Sequence, residues 1–465
     1  MIHLFNHYVP GRLVFLAVLE ALVLLLSAYV GISIDLAGSG TSIASTPYAL
    51  SSQAAEFAAG IMIVMSSMGL YQSDLWNDSR PIRTRLIVTF LTCFAMTGFL
   101  SYLMPSYHPR PFALGATVVV IALVGSILVR TAFHRWNNLG VLKPRILVLG
   151  TGSRVLKLAE LAKRNPNHHV VGYISIQPSR HYIPSQQMLS MTPDDSLLSV
   201  VEKHAIDQIV VGVRDRRGGG FPVQQLLECR MKGVEIIELP TFFEREYRQV
   251  LLESLNPSWV VLGDGFRQGY FNNILKRLFD ITVTAALLLL TLPVICIAVL
   301  CIFMESGLPV LYRQERVGQG GRPFTLYKLR SMKLDAEGRG GPHWAKVNDD
   351  RTTRIGRFIR KYRIDELPQI FNVLKGEMSF VGPRPERPFF VDQLVKQVPF
   401  YSLRHSAKPG ITGWAQVRYP YGASIDDAIE KLQYDLYYVK NQGPFLDLMI
   451  LISTVEVVLW GKGAR

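Results

Sequence analysis

The sequence predicts a membrane protein with an N-terminal four-helix transmembrane bundle, a Rossmann-like α/β middle domain and a basic C-terminal domain carrying one more membrane helix. Four apolar stretches fill the first 135 residues, and strand-like and helical patterns then alternate as far as residue 262. A further apolar run covers residues 281–304. Only 18% of the residues are charged, whereas soluble proteins average about 25%. We therefore expect domains at residues 1–139, 140–262 and 263–465.

The four apolar stretches are each 18 to 22 residues long, close to the ~20 residues that cross a bilayer core as a helix. They cover residues 13–34, 54–71, 86–104 and 111–129. The loop at residues 35–53 has no Lys or Arg, whereas arginines precede the third stretch and follow the fourth: Arg80, Arg83, Arg85, Arg130 and Arg135. By the positive-inside rule, both ends of this domain face the cytoplasm. The first stretch has no small-residue cleavage site, so we expect a retained helix and not a signal peptide.

Two carboxylates lie inside the first two apolar stretches, at Glu20 and Glu56. A charge at membrane depth is costly, and an ionisable residue there can mark a functional site. The alternative is a protonated side chain or one that faces a neighbouring helix. The sequence leaves both interpretations open.

Strand-like runs in the middle domain occur at residues 144–149, 169–174, 208–213 and 234–239, with helical patterns between them. This alternation predicts a βαβ-type domain with a parallel sheet. Gly150-Thr151-Gly152 follows the first run, where a pyrophosphate can bind at a helix N-terminus. Val155 occupies the third glycine position of that motif, and the second run ends without an acid for a ribose. A nucleotide site and a spacer with a regulatory or oligomerising role both stay open, and the spacer could form a homodimer.

The apolar run at residues 281–304 is long enough to span a membrane, but two observations favour a re-entrant helix over about residues 272–304. Pro293 lies near its centre, where it removes a helix hydrogen bond. Basic residues flank the run on both sides: Lys276, Arg277, Arg313 and Arg316. A helix that enters, breaks at Pro293 and returns keeps both flanks in the cytoplasm. A spanning helix and a buried core helix are the alternatives.

The last apolar run, 444–460, contains two acids and predicts an interfacial or packed helix.

The formal charge of +14 is unevenly distributed, because residues 310–390 contain 17 Lys plus Arg against 9 Asp plus Glu. This local excess favours a phosphate-bearing partner, either an anionic lipid or a phosphorylated substrate. No recognised nucleic-acid motif accompanies it, so we expect no nucleic-acid partner.

The four Cys residues form no Cys-x-x-Cys pair, and they are too few for a disulfide scaffold.

Two adjacent carboxylates within this basic segment, Asp365 and Glu366, are the candidate catalytic residues. Neighbouring side chains on a helix point in different directions, so one carboxylate can attack while the other binds Mg²⁺ through its oxygens. Arg360 lies close by in sequence, and Arg384 stands between two prolines that fix its backbone. A guanidinium held in this way suits bidentate phosphate recognition. An Asp-Glu pair alone is usually a surface feature, and the surrounding cations and rigid turns are what favour phosphoryl chemistry.

Residues 271–465 resemble the bacterial sugar transferases, and among them the monotopic polyprenyl-phosphate phosphoglycosyltransferases. The matching motifs occur in order over nearly 200 residues: Lys276-Arg277-x-Phe279-Asp280, Gln314-Glu315-Arg316-Val317-Gly318, Phe324-x-x-Tyr327-Lys328-x-Arg330-Ser331-Met332, Asp365-Glu366-Leu367-Pro368-Gln369, Met378-Ser379-x-Val381-Gly382-Pro383-Arg384-Pro385 and Lys408-Pro409-Gly410-Ile411-Thr412-Gly413-Trp414. Four membrane helices and a Rossmann-like domain ahead of this module resemble the large form of the family. The whole chain is similar to members associated with exopolysaccharide and PEP-CTERM (exosortase) loci.

The resemblance implies an α/β catalytic domain that transfers a sugar 1-phosphate from a UDP-sugar to undecaprenyl phosphate and releases UMP. It implies a covalent phosphosugar intermediate on Asp365, with Glu366 helping to hold Mg²⁺. It also implies a set of substrate-binding cations, of which the first two would meet the lipid phosphate: Lys276, Arg277, Arg316, Lys328, Arg330, Arg360 and Arg384.

The same resemblance implies the bacterial inner membrane, contact with membrane lipid, a catalytic domain on the cytoplasmic face, and a role in starting exopolysaccharide or other glycoconjugate assembly. The family breaks its re-entrant helix at a Ser-Pro pair. Here Leu292 replaces the serine and Pro293 is kept, so any hydroxyl capping of the break is in question.

Two rival functions are less well supported by the sequence. A membrane nucleotide-sugar dehydratase can also carry four helices and a Rossmann-like domain, but it needs a Tyr-x-x-x-Lys motif, and none follows residue 270. A scaffold or regulator of polysaccharide export would not require the intact surroundings of Asp365 and Glu366. The sequence does not discriminate among glucose, galactose and N-acetylhexosamine phosphates.

Overall fold

The computed structural model describes residues 2–4, 7–38, 47–71, 79–103, 112–138, 143–164, 169–176, 182–189, 196–213, 221–255, 269–333, 351–420, 422 and 424–460. Beyond its first eight residues, the chain forms two compact units, Val9–Arg245 and Glu246–Arg465. Two short strands, Ile2–Leu4 and His7–Val9, pair near the N-terminus. The predicted domain boundaries at residues 139 and 262 stay predictions.

Four helices cover the four apolar stretches, at Gly11–Gly38, Pro47–Ser67, Ser79–Leu103 and Phe112–Asn138. The first packs against the second and fourth, and the third also contacts both of these. In the described residues, two segments of this unit are long and apolar enough to cross a membrane, Gly11–Gly31 and Val118–Trp136, whereas Ala54–Ser67 is shorter. The predicted helices are therefore present, and a membrane crossing by all four stays a prediction.

Glu20 faces the interior of these helices and is completely buried. Arg130 donates from Nε and Nη2 to the two carboxylate oxygens of Glu20, at 2.5 and 2.9 Å. Its Nη1 donates to the carbonyl of Leu70 at 2.8 Å. A buried charge requires such a partner, and the pair links the first helix to the fourth. These contacts favour the helix-facing interpretation of Glu20, whereas Glu56 is exposed.

The middle of the chain contains a four-stranded parallel sheet, which confirms the predicted βαβ alternation. Its strands, in spatial order, are His169–Ile174, Arg145–Leu149, Gln208–Val211 and Glu235–Glu238. The helices that connect them in sequence are Ser153–Arg164, Leu197–Lys203 and Val223–Met231, and a short helix, Leu239–Phe242, follows the last strand. Residues 146–149 are all apolar and buried, as a central parallel strand requires. The predicted homodimer through this domain stays a prediction.

The turn at Gly150-Thr151-Gly152 contacts another part of the same chain. The backbone N–H of Tyr182 donates to the carbonyl of Thr151 at 3.0 Å, and that of Leu189 donates to the carbonyl of Tyr173 at 2.9 Å. Residues 182–189 therefore contact the turn after the first strand and lie beside the second strand, where Met188 forms a bridge with Tyr173. A Cβ built on Gly152 would meet no other atom within 4 Å, so the nucleotide site and the spacer both stay predictions.

The C-terminal unit is an α/β domain attached to one long helix, Tyr270–Ser306. An antiparallel hairpin follows, formed by Leu311–Val317 and Pro323–Leu329, and Ser379–Val381 pairs in parallel with Gly410–Thr412. The remaining helices are Arg354–Lys361, Gln369–Lys375, Pro388–Gln397, Trp414–Arg418, Ile425–Asn441 and Pro444–Trp460. The core is formed around Trp414, Tyr437 and Tyr438, each at most 1% exposed.

The long helix continues through Pro293, so the predicted interruption of the helix at this proline is not observed. A proline removes one backbone donor, and the hydrogen bonds of its neighbours can maintain the helix on either side. Both ends of the helix pack on the C-terminal domain. Phe279, Val283 and Leu287 contact the main core, and Ala298 and Ile302 contact the hairpin end near Leu329.

Candidate active site

Asp365 and Glu366 lie in a single 3₁₀ turn, Ile364–Glu366, between two helices. The preceding helix ends at Lys361, and Arg363 adopts a left-handed backbone conformation with φ of 55° that redirects the chain. Pro368 then begins the helix Gln369–Lys375. The turn buries both carboxylates, each only 8% exposed, although neither side chain is apolar. A buried carboxylate needs cationic or hydrogen-bonding partners.

Glu366 has these partners. Its Oε1 accepts hydrogen bonds from Lys328 Nζ at 3.0 Å and from Arg384 Nη2 at 2.6 Å. Its Oε2 has longer contacts, 3.5 Å from Arg384 and 3.7 Å from Arg363. Burial alone would raise the pKa of Glu366, but Arg384 and Lys328 outweigh it and hold the pKa well below its usual range. Glu366 is therefore a fixed anion at neutral pH.

Asp365 differs from its neighbour, because no hydrogen bond or ion pair reaches its carboxylate from any residue that the structure describes. Burial, together with the negative charge of Glu366, raises the pKa of Asp365 to about 6, against the opposing charges of Lys328, Arg360 and Arg384. At pH 7 it is mainly ionised and more basic than an ordinary aspartate. An ionised, unpaired carboxylate is the form that a nucleophile requires.

Four chain segments bring the cations to this turn. Lys328 comes from the second hairpin strand, Arg360 from the end of the preceding helix, and Arg384 from the loop after Ser379–Val381. Arg316, on the first hairpin strand, donates to the carbonyl of Pro385 at 2.9 Å and so supports the loop that carries Arg384. The structure thus gathers three predicted site cations, Lys328, Arg360 and Arg384, around the two carboxylates, and places a fourth, Arg316, behind the loop that carries Arg384.

Three other predicted substrate-binding residues are placed elsewhere, and their contacts support a different role. Lys276 Nζ lies 2.8 Å from Asp447 and donates to the carbonyl of Val381 at 3.0 Å. Arg277 donates to the carbonyls of Val373 and Leu374 at 2.6 and 2.7 Å, at the end of a helix.

Arg330 likewise donates to the carbonyls of Ser306 and Gly307, each at 2.8 Å, where the long helix ends. Cations commonly bind the last carbonyls of helices in this way. Lys276, Arg277 and Arg330 therefore attach the two ends of the long helix to the domain, and their role in substrate binding stays a prediction.

A buried pair behind the site, Arg404 and Asp435, was not predicted from the sequence. Arg404 follows a mostly apolar stretch, residues 398–403, and Asp435 lies in a helix 31 residues later, so no local pattern joins them. A single signal was available: both lie among residues that alternate with apolar ones, Tyr401 and Leu403 for the first and Leu432 and Leu436 for the second.

Glu366 is the residue of this site that could hold a divalent cation. Among the described residues there is no group of three or more His, Cys, Asp or Glu that could form an all-protein metal site. Mg²⁺ does not need one, because it commonly takes one or two carboxylates and completes its shell with substrate phosphates and water. Glu366 Oε2, with only long contacts, is the oxygen open to such an ion.

Comparison with known proteins agrees with this geometry. A family model described as bacterial sugar transferase matches residues 271–461. A UDP-N-acetylgalactosamine-undecaprenyl-phosphate N-acetylgalactosaminephosphotransferase of Aeromonas hydrophila is 33% identical over 391 residues, covering 84% of this chain and 90% of the relative. A UDP-glucose:undecaprenyl-phosphate glucose-1-phosphate transferase of Xanthomonas campestris pv. campestris is 30% identical over 454 residues, 87% of this chain and 92% of the relative.

A further relative, the UDP-glucose:undecaprenyl-phosphate glucose-1-phosphate transferase of Escherichia coli (strain K12), is 39% identical over 225 residues, 47% of this chain and 48% of the relative. The first two alignments extend well beyond the C-terminal module, so the likeness includes most of the chain. The apolar helices make the protein membrane-associated. The chain belongs to the bacterial sugar transferase family, as an enzyme of the polyprenyl-phosphate phosphoglycosyltransferase kind.

Proposed function

We propose that the enzyme transfers a sugar 1-phosphate from a UDP-sugar to undecaprenyl phosphate, releases UMP, and so starts the assembly of an exopolysaccharide or another glycoconjugate. The relatives named above carry out transfers of this type according to their names. The observation that carries the proposal is the contrast within one turn: Glu366 is held by two cations, while Asp365 has no partner among the described residues and has a raised pKa.

The proposed reaction has two displacements at one phosphorus. A carboxylate oxygen of Asp365 attacks the β-phosphorus of the UDP-sugar, and the bond from that phosphorus to the bridging oxygen breaks. UMP leaves with the bridging oxygen, and the sugar phosphate is covalently bound to Asp365. An oxygen of undecaprenyl phosphate then attacks the same phosphorus, which releases the Asp365 carboxylate and forms the lipid-linked diphosphate sugar. Two easier steps replace one difficult transfer between two anions.

The cations of the site have distinct positions in this scheme. Lys328 and Arg384 contact Glu366 and border Asp365, where they would offset charge on the attacked phosphoryl group. Arg360 is half-buried beside Asp365 and lowers the pKa of that carboxylate, and we assign it to a substrate phosphate. Arg316 is assigned to the support of the Arg384 loop.

Mg²⁺ would be held by Glu366 through Oε2, together with substrate phosphate oxygens. When bound, it would supply Lewis-acid stabilisation of charge on the diphosphate. The protein's own contribution is to keep Glu366 ionised, since Arg384 and Lys328 hold its pKa below the usual range.

We further propose a re-entrant path for the long helix, with the catalytic domain on the cytoplasmic face of the inner membrane and four spanning helices ahead of it. Both ends of the helix pack on the C-terminal domain, whereas its middle exposes apolar side chains: Leu289 is 78% exposed, Leu290 75% and Ile297 62%. Exposed leucines between two anchored ends suit a segment that dips into lipid. A bend at Pro293 would let the helix return to the same face.

Cysteine labelling tests this topology. Single cysteines replace Gly269 and Gly320 in a chain whose four native cysteines have been substituted, and intact cells are treated with a membrane-impermeant thiol reagent. We expect no labelling at either position until the inner membrane is permeabilised. Labelling of the Gly320 site alone from the periplasmic side would show a spanning helix.

A UMP-release screen tests the reaction itself. The purified enzyme is incubated with undecaprenyl phosphate, Mg²⁺ and each of several UDP-sugars, beginning with UDP-N-acetylgalactosamine and UDP-glucose because the relatives differ in this sugar. We expect UMP from at least one of them with the wild type and none with Asp365→Asn. A wild type that releases no UMP from any UDP-sugar would favour the scaffold function.

A further inference from the structure

The buried pair behind the site has an arrangement that stability alone does not explain. Arg404 is 6% exposed and Asp435 2%. Arg404 donates from Nε and Nη2 to Asp435 Oδ2, at 3.0 and 2.7 Å, and from Nη1 to the hydroxyl of Tyr401 at 2.9 Å. The same Nη2 group also donates to the backbone carbonyl of Arg384 at 3.0 Å.

The cost of burying two charges indicates that the hydrogen bond from Arg404 to the Arg384 carbonyl has a role besides stability. Two charges removed from water lose several kcal/mol of solvation each, and apolar residues of similar volume often replace such pairs at no loss of stability. What an apolar pair cannot do is hold a carbonyl group at a set position.

The loop that carries Arg384 is held through three consecutive carbonyls. The carbonyl of Pro383 accepts from the backbone N–H of Gly410 at 3.0 Å, that of Arg384 accepts from Arg404, and that of Pro385 accepts from Arg316. Gly410 is the first residue of the strand Gly410–Thr412, and Arg404 lies in the turn Tyr401–Ser406 that precedes this strand. Fixing the backbone of Arg384 fixes the base from which its guanidinium reaches Glu366 at 2.6 Å.

We propose that Arg404 and Asp435 are positioning residues for the sugar-phosphate transfer and act through Arg384 on the Glu366 carboxylate. The proposal rests on the proposed function. Asp435 orients Arg404, Arg404 holds the Arg384 carbonyl, and Arg384 holds Glu366 beside the nucleophile. A displacement of about 1 Å in such a chain is enough to reduce a rate by as much as about a hundredfold.

A double-mutant cycle tests the proposal. UMP release in a single turnover is measured for wild type, Arg404→Lys, Arg384→Met and the double variant. Lysine keeps the charge but loses the planar fork that contacts Asp435 and the carbonyl together. We expect Arg404→Lys to lower the rate about tenfold to a hundredfold in the wild-type background and less than about twofold in the Arg384→Met background. Equal losses in both backgrounds would overturn the proposal.

Two controls separate positioning from folding. Tyr401→Phe removes one partner of Arg404 and leaves its bond to the Arg384 carbonyl, so we expect a lower Tm and a rate within about threefold of wild type. Should Arg404→Lys fail to fold, Asp435→Asn keeps an acceptor for Arg404 and is used in the same cycle. A wild type without UMP release would refute the proposed function, whereas additive losses in an active enzyme would refute only the positioning role.

Discussion

The C-terminal domain contains two buried clusters of cations and carboxylates with opposite characters. The anchor cluster consists of Lys276, Asp280 and Asp447, and the catalytic cluster consists of Lys328, Asp365, Glu366 and Arg384. In the anchor cluster every carboxylate has protein partners. Asp280 accepts from Ser379 Oγ and the N–H of Phe380 at 2.8 and 2.9 Å, and Asp447 accepts from Tyr438 at 2.9 Å and pairs with Lys276 at 2.8 Å.

The catalytic cluster is left with one unpaired group. Glu366 takes both cations, and Asp365 has no hydrogen bond or ion pair within the described residues. Arg360 adds a further positive charge next to it. The anchor cluster also has cations close to it, because Lys408 lies within electrostatic range of Lys276, Arg277 and Asp280. Burial and positive charge are therefore common to both clusters, and the carboxylate without a partner among the described residues is what distinguishes the catalytic cluster from the anchor cluster.

Asp365→Asn should give the largest effect, because it removes a buried carboxylate that has no partner among the described residues while keeping the shape of the side chain. We expect UMP release to fall by on the order of 10³-fold or more, as for other removed nucleophiles. Single-turnover UMP assays measure the loss, with Tm as the control for folding. A variant that retains a tenth of the wild-type rate would exclude Asp365 as the nucleophile.

Arg384→Lys should give the next largest effect. Lysine keeps the charge, but it cannot contact both oxygens of Glu366 as the guanidinium does. We expect kcat/KM for the UDP-sugar to fall about 10²-fold, with a Tm within a few degrees of the wild type. Unchanged kcat/KM would show that the Glu366 contact is structural, like those of the anchor cluster.

The pH profile should show a smaller but diagnostic effect. The pKa of Asp365 is raised to about 6, so the attacking carboxylate is present above that pH and is lost by protonation below it. We expect kcat/KM to decrease about tenfold per pH unit on the acid side. In Lys328→Met this limb should move to higher pH, because the charge of Lys328 opposes the rise in pKa. A profile that is flat down to pH 5 would contradict the assignment.

Lys276→Met should have the smallest effect on catalysis and a large one on stability. The substitution leaves Asp280 and Asp447 buried without their cation, which typically costs about 3–5 kcal/mol of unfolding free energy. We expect a clearly lower Tm and a kcat within about tenfold of the wild type for the folded fraction. A raised KM for undecaprenyl phosphate with unchanged Tm would instead support the lipid-phosphate contact that the sequence suggested.

Sequence patterns predicted the structural features that depend on local periodicity and on residues close together in the sequence. The four helices, the parallel sheet and the grouping of Asp365, Glu366 and Arg384 follow from apolar runs, alternating elements and fixed turns. The ion pairs that a cation forms depend instead on residues far away in the sequence. Lys276 and Arg384 stand in equally basic motifs, yet one pairs with Asp447, 171 residues away, and the other contacts Glu366.

Two further differences separate the predictions from the structure. Arg404 and Asp435 meet because two segments fold together, and no spacing along the chain reveals it. Pro293 was expected to interrupt the helix from its chemistry alone, but the flanking hydrogen bonds continue on both sides. Long-range packing brought Arg404 and Asp435 together, whereas local hydrogen bonds maintain the helix on either side of Pro293.

Asp365 is the group that becomes covalently modified in the proposed mechanism. Purified enzyme is mixed with a UDP-sugar that supports UMP release, without lipid acceptor, and then quenched and digested for mass spectrometry. We predict one sugar phosphate on the peptide that contains Asp365, absent in Asp365→Asn and lost when undecaprenyl phosphate is added. An adduct on any other residue, or turnover with lipid but no adduct at any time, would contradict the assignment.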